Sequence, residues 1–324
     1  MLAAQISRLD GPAAVEVVQR DEPAGDGAVV IDVHAAGVAF PDVLQSRGLY
    51  QYKPDLPFVP GSEIAGIVRS APAGAHVAAG DRVAALTVHG GGMAEVVAVP
   101  ARQVFKLPDT VSFAAGAGLL FNDLTVYFAL TERARLSRGE TMLVHGAAGG
   151  IGTSTLRLAP ALGASRVIAV VSTPEKADIA RAAGASDTVA GEGFKDAVLE
   201  LTGGRGVDIV MDPVGGDRFT DSLRSLAPGG RLLVVGFTAG TIPTVKVNRL
   251  LLNNIDVVGV GWGAWLASHP DDLGRQWAEL EPLLAAGVVQ PPRPQVFPLE
   301  QAAEAIATLE NRTAGGKVVL QVRQ

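Results

Sequence analysis

The sequence predicts an α/β protein of two domains, one a parallel sheet covered by helices and the other a compact, mostly antiparallel β-domain. Between residues 140 and 260, strand-like apolar runs alternate with helix-like segments, and the strands are too apolar for either face of their sheet to meet water. Over the first 120 residues, short alternating segments are instead separated by Gly and Pro turns, as in antiparallel sheets. The change of pattern near residue 121 marks the boundary between the domains.

Local signals place the individual elements. The first domain contains four segments with strand-like alternation, at Val29–Val33, Ile64–Val68, Arg82–Leu86 and Ala94–Val99. In the second domain, a strand ending at Val144 leads through a glycine-rich turn into a helix that opens at about Thr153. β-Branched runs and capping signals then predict a strand at Arg166–Val171, a helix at Pro174–Ala183, a strand at Thr188–Val189, a helix at Phe194–Leu201, a strand at Val207–Met211, a helix at Asp217–Leu226 stopped by Pro228-Gly229-Gly230, and strands at Arg231–Val235 and Ile255–Val260.

The glycine-rich turn has the order of elements that a dinucleotide pyrophosphate requires. Gly149 lets the backbone approach the phosphates, Gly152 lets the helix pack tightly on the strand, and the helix N-terminus offers free N–H groups. The binding residues predicted on this basis are Gly146, Ala148, Gly149, Gly150, Ile151 and Gly152. Ala147 stands where the common G-x-G-x-x-G motif has its first glycine. In a series of strand–helix units the turn predicts a doubly wound Rossmann domain, and a tight turn used only for packing is the alternative.

The end of the chain is expected to return to the β-domain. After Val260 we predict a Trp-rich loop, helices near 272–286 and 299–309, and a final strand at Lys317–Val322. The β-domain would then be discontinuous (residues 1–121 and 264–324) around the Rossmann domain (122–263), and the cleft between them would hold the nicotinamide and the substrate. Pro160 should kink or shorten the helix after the glycine turn.

The choice of cofactor is predicted at the end of the next strand. A carboxylate there would bind the ribose hydroxyls of NAD, but this strand ends in Ser172, followed by Thr173-Pro174-Glu175-Lys176. A small hydroxyl and a lysine one turn into the helix can instead bind and neutralise a 2′-phosphate. We therefore predict NADPH, bound by Ser172 and Lys176. Glu175 is either part of a solvated Glu–Lys pair or, if it points inward, a ribose ligand.

Composition excludes several classes of function. Of the 324 residues, 48% are hydrophobic and 19% charged, so we expect a large core and no disorder. The net charge of −6 and the lack of a basic run argue against a nucleic-acid surface. Without cysteine there are no disulfides, no thiolate catalysis and no cysteine-ligated zinc. Because neither a secretory signal nor a long apolar run is present, we expect a cytoplasmic protein without a membrane span.

Six segments carry a family resemblance, at residues 37–50, 57–68, 146–152, 212–216, 236–237 and 248–254. They resemble, in the same order, segments of the zinc-free quinone oxidoreductases (zeta-crystallin-like) of the medium-chain dehydrogenase/reductase superfamily, and the likeness covers nearly the whole chain. The resemblance implies a GroES-like β-domain, a Rossmann domain that binds NADPH, and a homodimer or homotetramer. For the dimer, it suggests that the strand at Ile255–Val260 is a sheet edge that pairs across the axis.

The resemblance also assigns candidate site residues. Tyr50 would orient or protonate a quinone oxygen, and a purely packing role is its alternative. Asn122 and Thr125 would lie at the nicotinamide and its phosphates. Thr125 could equally form a hydrogen bond to the backbone of its own helix. Trp262 would stack on a planar acceptor or fill an interface. Further cofactor contacts are implied for Phe40, Gly236, Phe237, Gly263 and, at the adenosine end, Lys317. Ala39 departs from the family, which often has Asn there, and suggests a more apolar acceptor pocket.

No metal is predicted. Glu63 resembles a glutamate of the zinc-dependent relatives, but without cysteine it is expected to form a structural hydrogen bond or salt bridge. His34 is expected to be a packed or surface side chain. Arg249 is expected to form a solvated or interface salt bridge.

Three functions remain open. The leading hypothesis is NADPH-dependent reduction of quinones or other α,β-unsaturated carbonyl compounds by hydride transfer. An enoyl-thioester (enoyl-CoA) reductase is the second, although its carrier would need a basic patch that the first domain lacks. An NADPH-binding protein with a regulatory or structural role is the third.

Overall fold

A computed structural model of the chain describes residues 1–323, which form two compact units. Unit 1 comprises Met1–Asn122 and Leu273–Gln324, and unit 2 comprises Asp123–Asp272. The chain returns to unit 1 at Leu273, whereas the sequence predicted this return at residue 264. Each unit has its own core of buried aliphatic and aromatic side chains.

Unit 1 begins with a two-stranded antiparallel sheet and continues into a larger, mostly antiparallel one. In chain order its first elements are β1 (Leu2–Ile6), β2 (Val15–Gln19), β3 (Val29–Val38), α1 (Phe40–Ser46), β4 (Glu63–Ser70), β5 (Arg82–Leu86), β6 (Val96–Val99), β7 (Val104–Lys106) and α2 (Phe113–Gly116). Helix α3 (Leu120–Phe128) follows and continues as a π-helical turn at Ala129–Arg133, so the boundary between the units lies inside α3.

Unit 2 alternates strands and helices. Its elements are β8 (Thr141–Val144), α4 (Gly150–Ala161), β9 (Arg166–Val171), α5 (Pro174–Ala182), β10 (Asp187–Ala190), α6 (Phe194–Leu201), β11 (Val207–Asp212), α7 (Phe219–Arg224), β12 (Leu226–Val234), α8 (Asn248–Asn253), β13 (Asp256–Gly259) and α9 (Trp262–Ser268). The strands form one six-stranded sheet in the order β10-β9-β8-β11-β12-β13, and every neighbouring pair is parallel. This is the doubly wound Rossmann arrangement, with the strand order reversing between β8 and β11.

The last elements complete unit 1: α10 (Asp272–Ala285), β14 (Gln295–Pro298), α11 (Ala302–Glu310) and β15 (Val318–Gln321). The larger sheet runs β14-β15-β3-β4-β5-β7, with β6 also paired to β3, and only the β14–β15 pair is parallel. The predicted fold class, a Rossmann sheet plus a GroES-like, mostly antiparallel β-domain, is confirmed. No helix in residues 1–323 has both the length and the apolar character of a membrane span.

Three local predictions were wrong. Helix α4 opens at Gly150 rather than near Thr153, because the glycine turn closes within four residues. Pro228-Gly229-Gly230 does not stop a helix: α7 ends at Arg224 and this tripeptide forms an irregularity inside β12, where the register against β11 shifts. The Trp-rich segment is helix α9, in which the Trp265 and His269 rings, one turn apart, stack at 3.8 Å. Pro160 lies inside α4, one residue before the helix ends at Ala161.

Candidate active site

The glycine turn after β8 presents a set of backbone donors. The N–H of Gly149 donates to the carbonyl of Gly146 at 2.9 Å, which closes the turn. Helix α4 begins at the next residue, and the N–H groups of Gly150, Ile151 and Gly152 lie in its first turn, where no helical carbonyl precedes them. The dipole of this 12-residue helix adds a partial positive charge at the same end. This arrangement suits an anionic group such as a pyrophosphate.

Gly152 leaves no space for a side chain. A Cβ atom on this residue would lie 2.2 Å from the carbonyl oxygen of Gly146 and 2.5 Å from Cα of Ala147. The close packing of α4 on the turn, which the sequence motif predicts for this glycine, is therefore present in the structure. Ala147, which stands where the common motif has its first glycine, is completely buried.

Most unit 2 residues predicted to bind the cofactor lie at one edge of the sheet. The segments that follow the carboxyl ends of the strands contain Gly146–Gly152 after β8, Ser172 after β9, Gly236 and Phe237 after β12, and Trp262 and Gly263 after β13. The segment after β12 is tied to the one after β11, because the N–H of Ala239 donates to the carbonyl of Val214 at 2.9 Å. In open parallel sheets this edge, near the strand-order reversal, is where ligands bind.

Asp212 holds the loop that follows β11, a role that was not predicted from the sequence. It is 1% exposed at the end of β11, and its Oδ1 accepts the N–H groups of Val214 and Gly215, each at 2.9 Å. Burial raises the pKa of Asp212 against the lowering effect of these N–H donors. Val214 in turn contacts the turn, since a Cβ on Gly146 would lie 3.1 Å from Val214 Cγ2. A loop-forming Asp-Pro pair was the available signal.

The start of α5 carries the residues predicted to select NADPH. Ser172, which precedes the capping residue Thr173, is exposed, and Lys176, in the first turn of the helix, is half-buried. Thr173 caps the helix, its Oγ1 accepting the N–H of Lys176 at 3.3 Å. The Thr173 hydroxyl and the backbone N–H of Glu175 itself lower the pKa of the Glu175 carboxyl. Glu175 is thus engaged at the helix start, which favours its solvated role over ribose binding.

Trp262 is 5% exposed as the first residue of α9. This burial favours packing over stacking on an acceptor. The neighbouring Gly263 is exposed, and no atom lies within 4 Å of the position a Cβ would take there.

In unit 1, Phe40 opens α1 and is held by a buried carboxylate. Asp42 is fully buried; its Oδ2 accepts the N–H of Ala39 at 2.8 Å and its Oδ1 accepts the N–H of Gly61 at 3.0 Å. Burial raises the pKa of Asp42 to about 6, partly opposed by these two donors. Asp42 therefore fixes the backbone on both sides of the segment that contains Phe40, a role that the sequence did not reveal because Asp42 reads as an ordinary helix-start residue.

Tyr50 follows α1 in a half-buried position. Burial, and to a lesser degree the charge of Asp42, raises the pKa of its phenol. The ordinary pKa of this phenol, 10, already keeps the hydroxyl protonated at neutral pH, and the upward shift does not change that. The hydroxyl can therefore donate a hydrogen bond.

Asn122 and Thr125 lie on α3 and are 6% and 9% exposed. Between them in sequence, Asp123 is completely buried and pairs with Arg157 of α4 at 2.5 Å, the side chains being 0% and 7% exposed. This ion pair joins the helix that carries the candidate nicotinamide residues to the helix that begins at the glycine turn.

Lys317 does not have the environment that the resemblance implied. Its Nζ donates to Glu63 Oε1 at 2.7 Å and to the carbonyl of Val38 at 3.0 Å, and its side chain is 2% exposed. An ammonium buried in this way inside unit 1 is not available to an adenosine phosphate, so that role is corrected. The same contact confirms the structural salt bridge expected for Glu63.

Two further expectations concern metals and histidine. His34 is a packed side chain, its ring stacked on Phe113 at 4.4 Å. Within residues 1–323, no three His, Asp or Glu side chains are grouped so that they could hold a metal ion.

His145, immediately before the glycine turn, is a buried neutral imidazole. Its exposure is 0%, and its Nε2 lies 2.7 Å from Oγ of Ser222, whose own hydroxyl donates to the carbonyl of Arg218. Nε2–H is therefore the donor to Ser222. Burial, helped by the charge of Arg218, lowers the pKa of His145 to about 3.

We expect His145 to destabilise the fold in acid. Its ordinary pKa is 6.5, so below that pH the unfolded chain binds a proton that the folded chain does not bind, and this contribution to stability is lost as pH falls toward 3. The contribution of His145 to the loss between pH 6.5 and 4 is about 3 kcal/mol, and the buried Asp42, whose pKa is raised, acts in the opposite direction. Urea unfolding across this range should show that the stability of His145→Gln falls by about 3 kcal/mol less than that of the native protein. His89→Gln, at an exposed position, is the control and should leave the slope unchanged; equal slopes in all three proteins would contradict the assignment.

Comparisons with known proteins point to one family over nearly the whole chain. Residues 25–109 match the family model described as alcohol dehydrogenase GroES-like domain, and residues 150–283 match the one described as zinc-binding dehydrogenase. A quinone oxidoreductase of Pseudomonas aeruginosa is 35% identical over 98% of both chains. Among solved structures, a probable oxidoreductase from Mycobacterium abscessus is 43% identical with a TM-score of 0.90, covering 99% of each chain. The Escherichia coli quinone oxidoreductase complexed with NADPH is 30% identical with a TM-score of 0.89, covering 99% of this chain and all of that one.

Proposed function

Because the chain belongs to the zinc-free quinone oxidoreductase family of the medium-chain dehydrogenase/reductase superfamily, we propose that it is an NADPH-dependent oxidoreductase that transfers hydride to quinones or other α,β-unsaturated carbonyl compounds. The observation that carries this proposal is the turn at Gly146–Gly152, where a helix N-terminus and three free N–H groups meet at the carboxyl edge of the sheet.

These residues fit the cofactor. The backbone N–H groups of Gly150, Ile151 and Gly152 would hold the pyrophosphate. The absence of a Cβ at Gly149 keeps the approach open, since a Cβ there would have only the Gly146 carbonyl oxygen within 4 Å, at 3.3 Å, and would otherwise face open space. Ser172 and Lys176 would hold the 2′-phosphate, with Phe40, Gly236, Phe237 and Gly263 at the nicotinamide half. When bound, NADPH supplies the hydride.

On the acceptor side, the protein has to steady negative charge that develops on the substrate oxygen. Tyr50 is the proposed donor, because its half-buried phenol can donate a hydrogen bond to such an oxygen. Asn122 and Thr125, both on α3, are the proposed contacts that orient the nicotinamide. No metal takes part in this proposal.

The test is NADPH oxidation by the purified protein, followed as loss of absorbance. 1,4-Benzoquinone and crotonyl-CoA are used as parallel acceptors, with a chelator control. Rapid oxidation with the quinone, unchanged by the chelator, is expected. Oxidation only with crotonyl-CoA would favour an enoyl-thioester reductase. Tight NADPH binding with neither acceptor reduced would favour a regulatory or structural role.

Lys176 should determine the preference for NADPH over NADH. Lys176→Ala removes the cation proposed to neutralise the 2′-phosphate, so we expect the Kd for NADPH to rise at least tenfold, about 1.4 kcal/mol, while NADH binding changes little. Fluorescence titration with both cofactors measures this. Lys195→Ala, at another lysine of unit 2 that forms a surface pair with Asp196, is the control. An equal loss for NADPH and NADH would refute the selectivity role.

We also propose that two copies associate through the edge of the Rossmann sheet. β13 is an edge strand, and nearby α8 exposes Leu251 and Leu252 at 75% and 73%. Exposed apolar side chains beside a strand with one unpaired edge suit a second copy of the same surface. Light scattering should give two or four times the chain mass of 33.3 kDa. Leu251→Lys should shift the mass toward a single chain, and a monomeric native protein would refute the proposal.

A further inference from the structure

Two oppositely charged residues are buried in unit 1 where an apolar pair would be the simpler choice. The carboxylate of Glu63 and the ammonium of Lys317 are 1% and 2% exposed and 2.7 Å apart. Burying two charges costs much of what their attraction returns, so such a pair is weak evidence for added stability. Its value here has to be sought in what else the two groups bind.

Each member of the pair also holds a piece of main chain. Lys317 Nζ donates to the carbonyl of Val38, the last residue of β3, at 3.0 Å. Glu63 Oε2 accepts the N–H of Phe121 at 2.9 Å. Phe121 is the second residue of α3, where a helix N–H has no partner within its own helix, so Glu63 caps α3 from a neighbouring strand.

The surrounding backbone is shaped to admit both side chains. A Cβ on Gly37 would lie 2.6 Å from Cγ of Glu63, and a Cβ on Gly118 would lie 2.9 Å from Cγ of Lys317. The two glycines flank the two segments that the pair holds. The pair and its contacts thus form one interlocked unit rather than a chance approach of two side chains.

We infer that Glu63 and Lys317 are positioning residues, which fix the end of β3 and the start of α3 relative to each other and so place Phe40 and Asn122. This inference rests on the proposed function, because Phe40 and Asn122 are proposed nicotinamide contacts. Phe40 lies two residues beyond the Val38 carbonyl, and Asn122 directly follows the Phe121 N–H. Asp42 completes the arrangement, because it accepts the N–H of Ala39, the residue between Val38 and Phe40.

The variants separate charge from backbone contact. Glu63→Gln with Lys317→Met removes both charges but keeps an oxygen that can accept from Phe121. Glu63→Leu with Lys317→Met removes the acceptor as well. The first double variant keeps the Phe121 contact and loses only the Lys317 contact to the Val38 carbonyl, so we expect an intermediate loss of kcat, between twofold and fivefold. The second should lose at least tenfold in kcat, with less than a threefold change in the Kd for NADPH and a melting temperature close to that of the first.

Amide hydrogen exchange of the cofactor-free protein gives a readout that does not depend on turnover. Exchange in the peptide spanning residues 119–124 should accelerate in the Leu/Met variant and stay slow in the Gln/Met variant. Lys106→Met, which removes an exposed lysine paired with Asp81, is the control and should change neither kcat nor exchange. If the Leu/Met variant does not fold, Glu63→Asp serves instead, because the shorter carboxylate keeps its charge but cannot reach both partners.

The outcomes are distinguishable. Native kcat and native exchange in both Leu/Met and Glu63→Asp would overturn the positioning role. Failure of the native protein to oxidise NADPH with any acceptor would instead refute the proposed function. In that case, exchange at 119–124 and the fluorescence of bound NADPH in the variants still test the inference.

Discussion

Replacing Gly152 by alanine is expected to destabilise unit 2 and to weaken NADPH binding at least tenfold. The added Cβ would lie 2.2 Å from the Gly146 carbonyl oxygen and 2.5 and 2.6 Å from Cα and the carbonyl carbon of Ala147. All three are backbone atoms of the turn, so no side chain can rotate away, and α4 has to move as a whole. Overpacking of this kind costs about 1 to 3 kcal/mol or more. The helix N-terminus would move with it, away from the proposed pyrophosphate.

A second helical glycine provides the matched control. Gly274 in α10 has no atom within 4 Å of its Cβ position, so Gly274→Ala should show only the higher helix propensity of alanine and stabilise by up to about 1 kcal/mol. The same chemical change is thus expected to have opposite signs at the two sites. Denaturant unfolding and fluorescence titration with NADPH measure both effects. A Gly152→Ala protein that is as stable as the native one and binds NADPH equally would show that α4 does not depend on this contact.

Gly152 also illustrates what the sequence could predict. Its role follows from a local motif between a strand and a helix, and the structure has the close approach that the motif requires. The same holds for Arg166–Val171 and Phe194–Leu201, where the bounds predicted from local signals match the observed ones. In these cases the signal and the structure it specifies lie within the same dozen residues.

Residues that act through distant partners could not be predicted. Lys317 was assigned to the adenosine by resemblance, but its position is decided by Glu63, which lies 254 residues earlier in the chain. Asp42 gave no signal of its burial, because its second contact, Gly61, lies beyond an intervening loop. Tertiary contacts decide both positions, and local sequence does not encode them. The helix at Trp262–Ser268, predicted as a Trp-rich loop, is a further difference.

Removing Arg157 alone is expected to cost far more than removing it together with Asp123. Arg157→Met would leave the Asp123 carboxylate at 0% exposure without its cation, and unpaired buried charges cost about 3 to 5 kcal/mol. Asp123→Leu with Arg157→Met replaces both charges by apolar side chains of similar volume, a change that is often neutral. The double variant should therefore be more stable than Arg157→Met, which additive effects would not give.

The exposed pair Arg181–Asp178 on α5 is the control. Its side chains are 57% and 79% exposed, so Arg181→Met should cost less than about 1 kcal/mol. Urea unfolding of the native protein, Arg157→Met, Asp123→Leu and the double variant gives the coupling energy. NADPH titration shows whether the link between α3 and α4 matters to the cofactor. Because α3 carries Asn122 and Thr125 while α4 begins at the glycine turn, the apolar double variant should remain folded but bind NADPH less tightly. Arg157→Met as stable as the native protein would mean that the two helices are held together by their apolar contacts alone.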